Sequence, residues 1–339
     1  MIYLICFCIT LLMLLFVVAY ERAININLVL LIGVVAVGNG GYYALSVSRN
    51  LEEAILANSI SYVIGIFAPA ILFFIICGIC RIEVPKIIST HLYLVQVVIF
   101  LSACTVGRYD IFYRTVNFHR GTMGAYLTKT YGPMHTAYLV SMLLYSTANI
   151  VVGMYSLSRK SIVSRINVDL ILFLDMLVVG VYLIERFLHL KFELLPVFLT
   201  IAIMIILIPL VKISLYSVYS NIEIFQDRIK GTGYIFFNKK MKYMGCSEYA
   251  SVLFPELLNW ELERNIPGNG GRFNTFLRQP LLEYAKEKSA GESQSNTFSY
   301  KGAVYSYDIR ALAHKKIIYG YMIQISNVTD VVTTTNKME

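Results

Sequence analysis

The chain has 339 residues, of which 57% are hydrophobic and only 15% are charged. Soluble domains carry about 25% charged residues, so this composition excludes an ordinary soluble protein and predicts an integral membrane protein embedded in the lipid bilayer. The formal net charge of +8 is scattered over loops and the tail. It therefore indicates membrane orientation and attraction to anionic lipid, and we expect no nucleic-acid partner.

The sequence contains no pattern typical of a metal or cofactor site. Cys77 and Cys80 have the spacing of a redox motif, but they lie in an apolar stretch, where cysteine behaves as a small apolar residue. The glycines of Gly268–Gly271 follow a proline without a preceding strand, so we interpret them as a plain loop and not as a phosphate cradle. His314 lies at a predicted turn, where a surface position is a better explanation than a haem ligand. We expect no cofactor and no metal.

Seven apolar stretches, each close to the roughly 20 residues that cross a bilayer, predict an all-α seven-helix membrane bundle over residues 1–215. The first stretch has the alternative interpretation of a signal peptide. It lacks a basic n-region and exceeds the usual apolar length of about 7–15 residues, so we treat it as a true span. The predicted spans cover residues 2–19, 28–47, 58–80, 87–106, 133–157, 168–188 and 194–215.

The basic residues of the connections predict the orientation of the bundle. The odd-numbered and even-numbered connections carry equal numbers of Lys and Arg, but the odd-numbered ones are shorter and therefore denser in positive charge. By the positive-inside rule, the N-terminus lies outside the cell and the C-terminus lies in the cytoplasm. The predicted location is the plasma membrane.

The fourth connection, residues 107–132, is too long for a simple turn and is extracellular in this orientation. Its segments FYRTVNFHR and AYLTKTYG alternate around a glycine-bearing GTMG, a pattern that predicts a β-hairpin. We interpret the hairpin as a lid over the outer mouth of the bundle, because long ordered loops tend to carry function. The alternative is a loop that only rigidifies the fourth and fifth spans.

Polar and aromatic residues in the outer halves of the spans form the candidate ligand site. Each one alone is explained by interhelical hydrogen bonding or interfacial anchoring, and only the group suggests a small-molecule pocket. Deeper residues Gln96, Asn149 and Asp175 indicate either a polar relay or ordinary interhelical hydrogen bonds. The predicted ligand-binding residues are Asn39, Tyr42, Tyr43, Tyr62, Tyr131, His135, Tyr138, Glu185 and Arg186.

The last span continues without a turn signal into a connector, residues 216–230. Apolar residues along it alternate at steps of three and four, as in the seam of a coiled coil. Because the run covers only about two heptads, an amphipathic helix end lying on the membrane or on its own domain is an equally good interpretation. The seam predicts a homodimer through Leu215, Val218, Ile222, Phe225 and Ile229.

Residues 231–335 predict a cytoplasmic α+β domain, followed by a short tail, residues 336–339. Two strand-like runs precede helical segments, and three further strand-like runs follow them. This order predicts one antiparallel sheet with helices on one face.

At this point the chain resembles a known arrangement. GYIFFN, YMGCSEYASVLFPEL and GYMIQISNVTD resemble a PAS domain, although the Asp and Thr order near Asp330 departs from the usual pattern. The membrane half is similar to the N-terminal seven-helix region of bacterial sensor histidine kinases and related cyclic-dinucleotide signalling proteins. That similarity lies in ALSVSRNLEEAILANSISYVIGIFAPAILFF and YLTKTYGPMHTAYLV. It implies an extracellular-facing sensor with an undefined small-molecule ligand, and it supplies no catalytic residues.

The predicted function is a membrane receptor without its own catalysis, relaying an outside signal to the PAS-like domain and to a cytoplasmic signalling partner. No phosphoacceptor-histidine helix, ATP-lid glycine box or cyclase signature follows that domain. One alternative is the sensory half of a histidine kinase or cyclic-dinucleotide enzyme whose catalytic domain lies beyond residue 339. A transporter with a regulatory domain is a further alternative, although no internal repeat favours it.

Overall fold

The computed structural model describes most of the chain, and its contacts divide the protein into two compact units. The membrane unit holds seven α-helices and a β-hairpin, and the sheet unit holds the described residues from 231 onward. Each is described by itself. The described residues are 1–20, 26–80, 82–121, 124–157, 165–188, 192–215, 231–268, 271–287, 294–314 and 317–329.

The helices of the membrane unit follow the predicted apolar stretches in order. The described helices are α1 (Ile2–Tyr20), α2 (Ile26–Val47), α3 (Leu51–Ile79), α4 (Lys86–Ala103), α5 (Pro133–Leu157), α6 (Arg165–Leu188) and α7 (Leu195–Leu215). Six of them, α1 to α6, are long and apolar enough to cross a membrane, as expected for a multi-pass membrane protein. The apolar stretch Leu195–Ile208 within α7 is shorter, so the count of seven spans stays a prediction.

Helix α3 begins seven residues before the apolar stretch that predicted it. The side chain of Asn50 caps the helix, accepting a hydrogen bond from the backbone N–H of Glu53 at 2.9 Å. The Glu53 carboxylate accepts in return from the backbone N–H of Arg49 at 2.8 Å. This reciprocal cap satisfies donors that the first turn leaves open. Hydropathy therefore marked the part of α3 suited to lipid, whereas the cap determines where the helix starts.

The stretch predicted as a hairpin contains two antiparallel strands, β1 (Tyr113–Gly121) and β2 (Gly124–Tyr131). Their register pairs Tyr113 with Tyr131 at the open end, where the chain enters α5. One side of the hairpin packs on the ends of α2 and α3, where Leu127 joins a small cluster with Leu45, Ala54 and Ala57. Side chains along β2 therefore alternate between a face that is turned to the helices and a more exposed face.

The sheet unit has one five-stranded antiparallel sheet, in agreement with the predicted order of two strands, helices and three strands. The elements are β3 (Thr232–Asn238), β4 (Tyr243–Cys246), α8 (Glu248–Leu253), α9 (Gly271–Glu287), β5 (Gln294–Tyr300), β6 (Ala303–His314) and β7 (Ile317–Asn327). A 3-10 helix, Pro255–Asn259, follows α8. The strands lie in the order β4-β3-β7-β6-β5.

The core of the sheet unit is aromatic and lies between the sheet and its helices. Trp260 is 2% exposed, and its ring centroid lies 5.2 Å from that of Tyr243 and 6.1 Å from that of Phe273. Ile235 and Phe237 point into this core, whereas Phe236 lies in a second apolar cluster with residues of β6 and β7. Strand β3 thus buries side chains on both faces, which explains its nearly continuous apolar sequence.

Candidate functional site

Seven ring side chains meet where the hairpin joins the helices, and we call them the aromatic cluster. Tyr62 lies on α3, and the hairpin base supplies rings from both strands. Pro133 begins α5 one residue after β2 ends, so the first two turns of α5 place two further rings beside the hairpin. The members are Tyr62, Phe112, Tyr113, Tyr131, His135, Tyr138 and Tyr182.

His135 lies at the centre of the aromatic cluster and is 1% exposed. The Tyr131 ring stacks on the imidazole with a centroid distance of 4.1 Å. The Phe112 and Tyr138 rings approach it edge-on, each with its centroid at 5.4 Å. Edge-to-face pairs of this kind contribute about 0.5–1.5 kcal/mol beyond their buried area. The cluster therefore fastens the hairpin base to α5.

A glycine makes room for the inner edge of the cluster. A Cβ built at Gly65 on α3 would lie 2.4 Å from the hydroxyl oxygen of Tyr138. Tyr138 is 2% exposed, and its ring lies 6.1 Å from that of Tyr182 on α6. Through Tyr138 the cluster reaches from the hairpin into the space between α3, α5 and α6.

Lys129 of the hairpin projects toward the aromatic cluster. Its Nζ donates a hydrogen bond to Oδ1 of Asn58 at 2.8 Å. The same Nζ lies 5.5 Å from the ring centroid of Tyr113 and 5.8 Å from that of Tyr62. Both distances are within the range of cation–π attraction.

The groups around the Lys129 ammonium are themselves joined by hydrogen bonds. The Tyr113 hydroxyl donates to the Tyr62 hydroxyl at 2.5 Å, and Nδ2 of Asn58 donates to the Tyr113 hydroxyl at 3.4 Å. Asn58 and Tyr113 are each 2% exposed. This network holds an amide oxygen and two ring faces in fixed positions around one positive charge.

A cavity of about 70 Å³ lies deeper, between α2, α3, α5, α6 and α7. Tyr138 and Tyr182 of the aromatic cluster form part of its wall, together with mostly apolar side chains such as Leu31 and Leu199. Asp175 supplies the carboxyl group of the lining and accepts a hydrogen bond from Nδ2 of Asn149 at 3.1 Å. This mostly apolar lining with a few polar groups is typical of small-molecule sites, whereas the volume is below their usual range of roughly 300–1,000 Å³.

The three residues of the predicted polar relay make two separate sets of hydrogen bonds, each between two helices. Asn149 and Asp175 join α5 to α6. Gln96 instead donates to Ser141 at 2.9 Å and to Tyr145 at 3.4 Å, which joins α4 to α5. Within the described contacts, ordinary interhelical hydrogen bonds account for both.

The structure brings four of the predicted ligand-binding residues together in the aromatic cluster and places others elsewhere. Asn39 is fully buried and donates to Thr200 at 3.0 Å and to Thr10 at 3.4 Å, so it links α2 to α7 and α1. The Tyr42 ring packs against Tyr3 of α1, with centroids 6.1 Å apart, and Tyr43 is partly exposed on α2. The four that meet are Tyr62, Tyr131, His135 and Tyr138.

Glu185 has a structural partner at the start of α7. Its Oε1 accepts hydrogen bonds from the backbone N–H groups of Leu194 and Leu195, the latter at 2.7 Å. A carboxylate at a helix N-terminus satisfies open donors and interacts favourably with the helix dipole. The side chain of Arg186 lies outside the described part of the structure, as do those of Leu215, Val218, Ile222, Phe225 and Ile229.

Several members of this site did not follow from the sequence. Lys129 and Asn58 carry its polar contacts, and Phe112, Tyr113 and Tyr182 complete its rings. The sequence held one indication of the role of Lys129. Lys129 is two residues from both Leu127 and Tyr131 on a strand, so the three side chains share a face. Among the described residues, no group of three or more His, Cys, Asp or Glu side chains is placed to hold a metal ion.

Comparison with known proteins gives this chain no family. No protein-family model matches it, and neither the curated proteins nor the solved structures contain a significant match.

Proposed function

We propose that this protein is an integral-membrane signal-transduction receptor. In this proposal, a small molecule binds in the membrane unit beneath the hairpin, on the outer side of the membrane. The bound state is relayed through residues 216–230 to the sheet unit, which acts as a PAS-like cytoplasmic module and passes the signal to a partner. The chain itself contributes no catalysis.

The observation that carries the proposal is the way the hairpin meets the helices. Lys129 of β2 reaches Asn58 of α3, and Tyr131 of β2 stacks on His135 of α5. A loop that served only as a connection would not need aromatic and cationic contacts with two different helices. These contacts suit a lid, because a ligand that competes for them would change the position of the hairpin.

The cavity beneath the aromatic cluster supports the same proposal. Helices α3, α5, α6 and α7 all line it, so an occupant of different size or polarity would act on several helices at once. The antiparallel sheet with helices inserted between β4 and β5 supports the assignment of the sheet unit as PAS-like.

The proposal is tested on the full chain in lipid nanodiscs. Small metabolites are screened by thermal shift, and the compound with the largest shift is carried into hydrogen–deuterium exchange. We expect this compound to change exchange both in the hairpin and in strands β3 to β7. A change in the hairpin with no change anywhere in the sheet unit would contradict the relay.

Two histidine variants locate the binding site. His135→Phe keeps a ring but removes both ring nitrogens from the aromatic cluster, and we expect it to reduce the thermal shift at least several-fold. His91→Phe is the matched control, because His91 is exposed on α4 and its ring nitrogen is paired with its own helix. Equal shifts in the two variants would place the binding site outside the aromatic cluster.

A further inference from the structure

Lys129 is a positive charge held in a site that the rest of the protein builds for it. We propose that Asn58, Tyr62 and Tyr113 form a subsite for a primary ammonium group, which Lys129 fills as an internal ligand and which a small external amine can take over. This inference rests on the proposed function, because the amine is then the chemical class of molecule that the receptor senses.

The subsite has the two elements that recognise an alkylammonium ion. Ring faces attract the charge through their quadrupoles, and Nζ lies within 6 Å of two ring centroids. The Asn58 amide oxygen accepts one N–H at 2.8 Å. That amide is oriented by its own Nδ2, which donates to the Tyr113 hydroxyl at 3.4 Å. An amide turned the other way would present a donor to the ammonium and repel it.

The chemistry of the subsite favours a cation over an anion. The described contacts of the Lys129 ammonium are with an amide oxygen and two phenol rings, whose hydroxyls already bond to one another at 2.5 Å. A carboxylate or phosphate would face the negative potential of both rings and the oxygen of Asn58. With Lys129 displaced, these groups therefore attract an ammonium ion and repel an anion.

The internal ligand also makes the subsite a switch. Lys129 belongs to the hairpin, whereas Asn58 and Tyr62 belong to α3. An external amine that replaces Lys129 removes one hydrogen bond and one cation–π contact between the hairpin and α3. Because a tethered group acts at an effective concentration in the mM range, the intact protein binds the amine weakly, and removal of Lys129 exposes the full affinity of the subsite.

The test uses the full chain in nanodiscs and the variant Lys129→Ala. The atoms deleted beyond Cβ correspond to n-propylammonium, which is the probe. We expect n-propylammonium chloride to raise the melting temperature of Lys129→Ala in a saturable way. Its apparent affinity for the variant should be at least about tenfold higher than for the unmodified protein. Sodium chloride at the same concentration controls for ionic strength.

Three controls separate recognition of the ammonium from other effects. n-Propanol has the same size without the charge, and an equal response to it would overturn the proposal by showing simple cavity filling. Lys129→Ala combined with Asn58→Leu should lose the response, and a retained response overturns the role of Asn58. Arg120→Ala removes an exposed cation from the same hairpin. This variant should respond to n-propylammonium as weakly as the unmodified protein does.

A measurement on the unmodified protein covers the case in which Lys129→Ala does not fold. At high concentration n-propylammonium should speed amide exchange in β1 and β2, and an unchanged rate would overturn the proposal. The outcomes also separate the two proposals. If the amine binds without any change in the sheet unit, the subsite is supported and the relay is rejected. If a compound without an amine changes exchange in the sheet unit, the relay is supported and the amine is rejected as the sensed class of molecule.

Discussion

Gly41 shows how one missing side chain sets the distance between two helices. A Cβ built there would lie 2.5 Å from the backbone nitrogen of Ser61 and 3.0 Å from the carbonyl oxygen of Ala57. These contacts are with backbone, which cannot swing aside as a side-chain end can. Helices α2 and α3 therefore approach each other as closely as small residues permit, a common way to pack helices in membranes.

We predict that Gly41→Ala destabilises the membrane unit by about 1–3 kcal/mol, the usual cost of overpacking. Gly33→Ala on the same helix is the matched control, because a Cβ there meets no atom within 4 Å. It should leave stability unchanged or raise it slightly, since alanine favours the helix by up to about 1 kcal/mol. Thermal unfolding of the two variants in the same nanodiscs measures the difference, and equal melting temperatures would contradict the argument.

At the scale of elements, the hairpin is stabilised against the helices at two places. Its base joins the aromatic cluster, and its middle packs through Leu127, which is 9% exposed, against Leu45 and Ala57. The two contacts use different side chains, so they can be weakened separately. Only the base carries the proposed ligand contacts, and the middle supplies apolar packing.

We predict that Leu127→Ala loosens the hairpin without removing the aromatic cluster. Deleting a buried leucine side chain costs about 2–5 kcal/mol, and a position at the edge of the structure falls at the low end. Amide exchange in β1 and β2 should become faster, while exchange in α5 stays the same. Asn117→Ala is the control, because Asn117 is exposed on β1, and a similar rise in that variant would contradict the role of Leu127 packing.

The sequence predicted elements better than it predicted contacts. Alternation located both strands of the hairpin and hydropathy located the helices, because both patterns are local. The role of Lys129 was missed, since alternation shows which residues share a face but not what that face meets. The pocket role of Glu185 stays a prediction, and the contact that the sequence did not show is its cap on α7. The partners of Asn39, Thr10 and Thr200, come from helices distant in sequence, so no local pattern could pair them.

At the scale of the whole molecule, the proposed signalling needs a path between two units whose sequences differ in kind. One has membrane-length apolar helices, and the other has an antiparallel sheet with an aromatic core. The residues between them, 216–230, carry the apolar spacing of a coiled-coil seam. A seam shared by two copies would align two sheet units and let a change in one bundle reach both. A helix end lying on the membrane would carry no such coupling.

We predict that the connector forms a parallel dimer seam. Single cysteines at Val218 and Ile222, which occupy seam positions, should give disulfide-linked dimers under mild oxidation in native membranes. Ser220→Cys is the control, because its position lies on the opposite side of the same helical repeat, and it should crosslink much less. If all three variants crosslink equally, or if no seam position crosslinks, then the spacing reflects an amphipathic helix end, and the relay must operate within one copy of the chain.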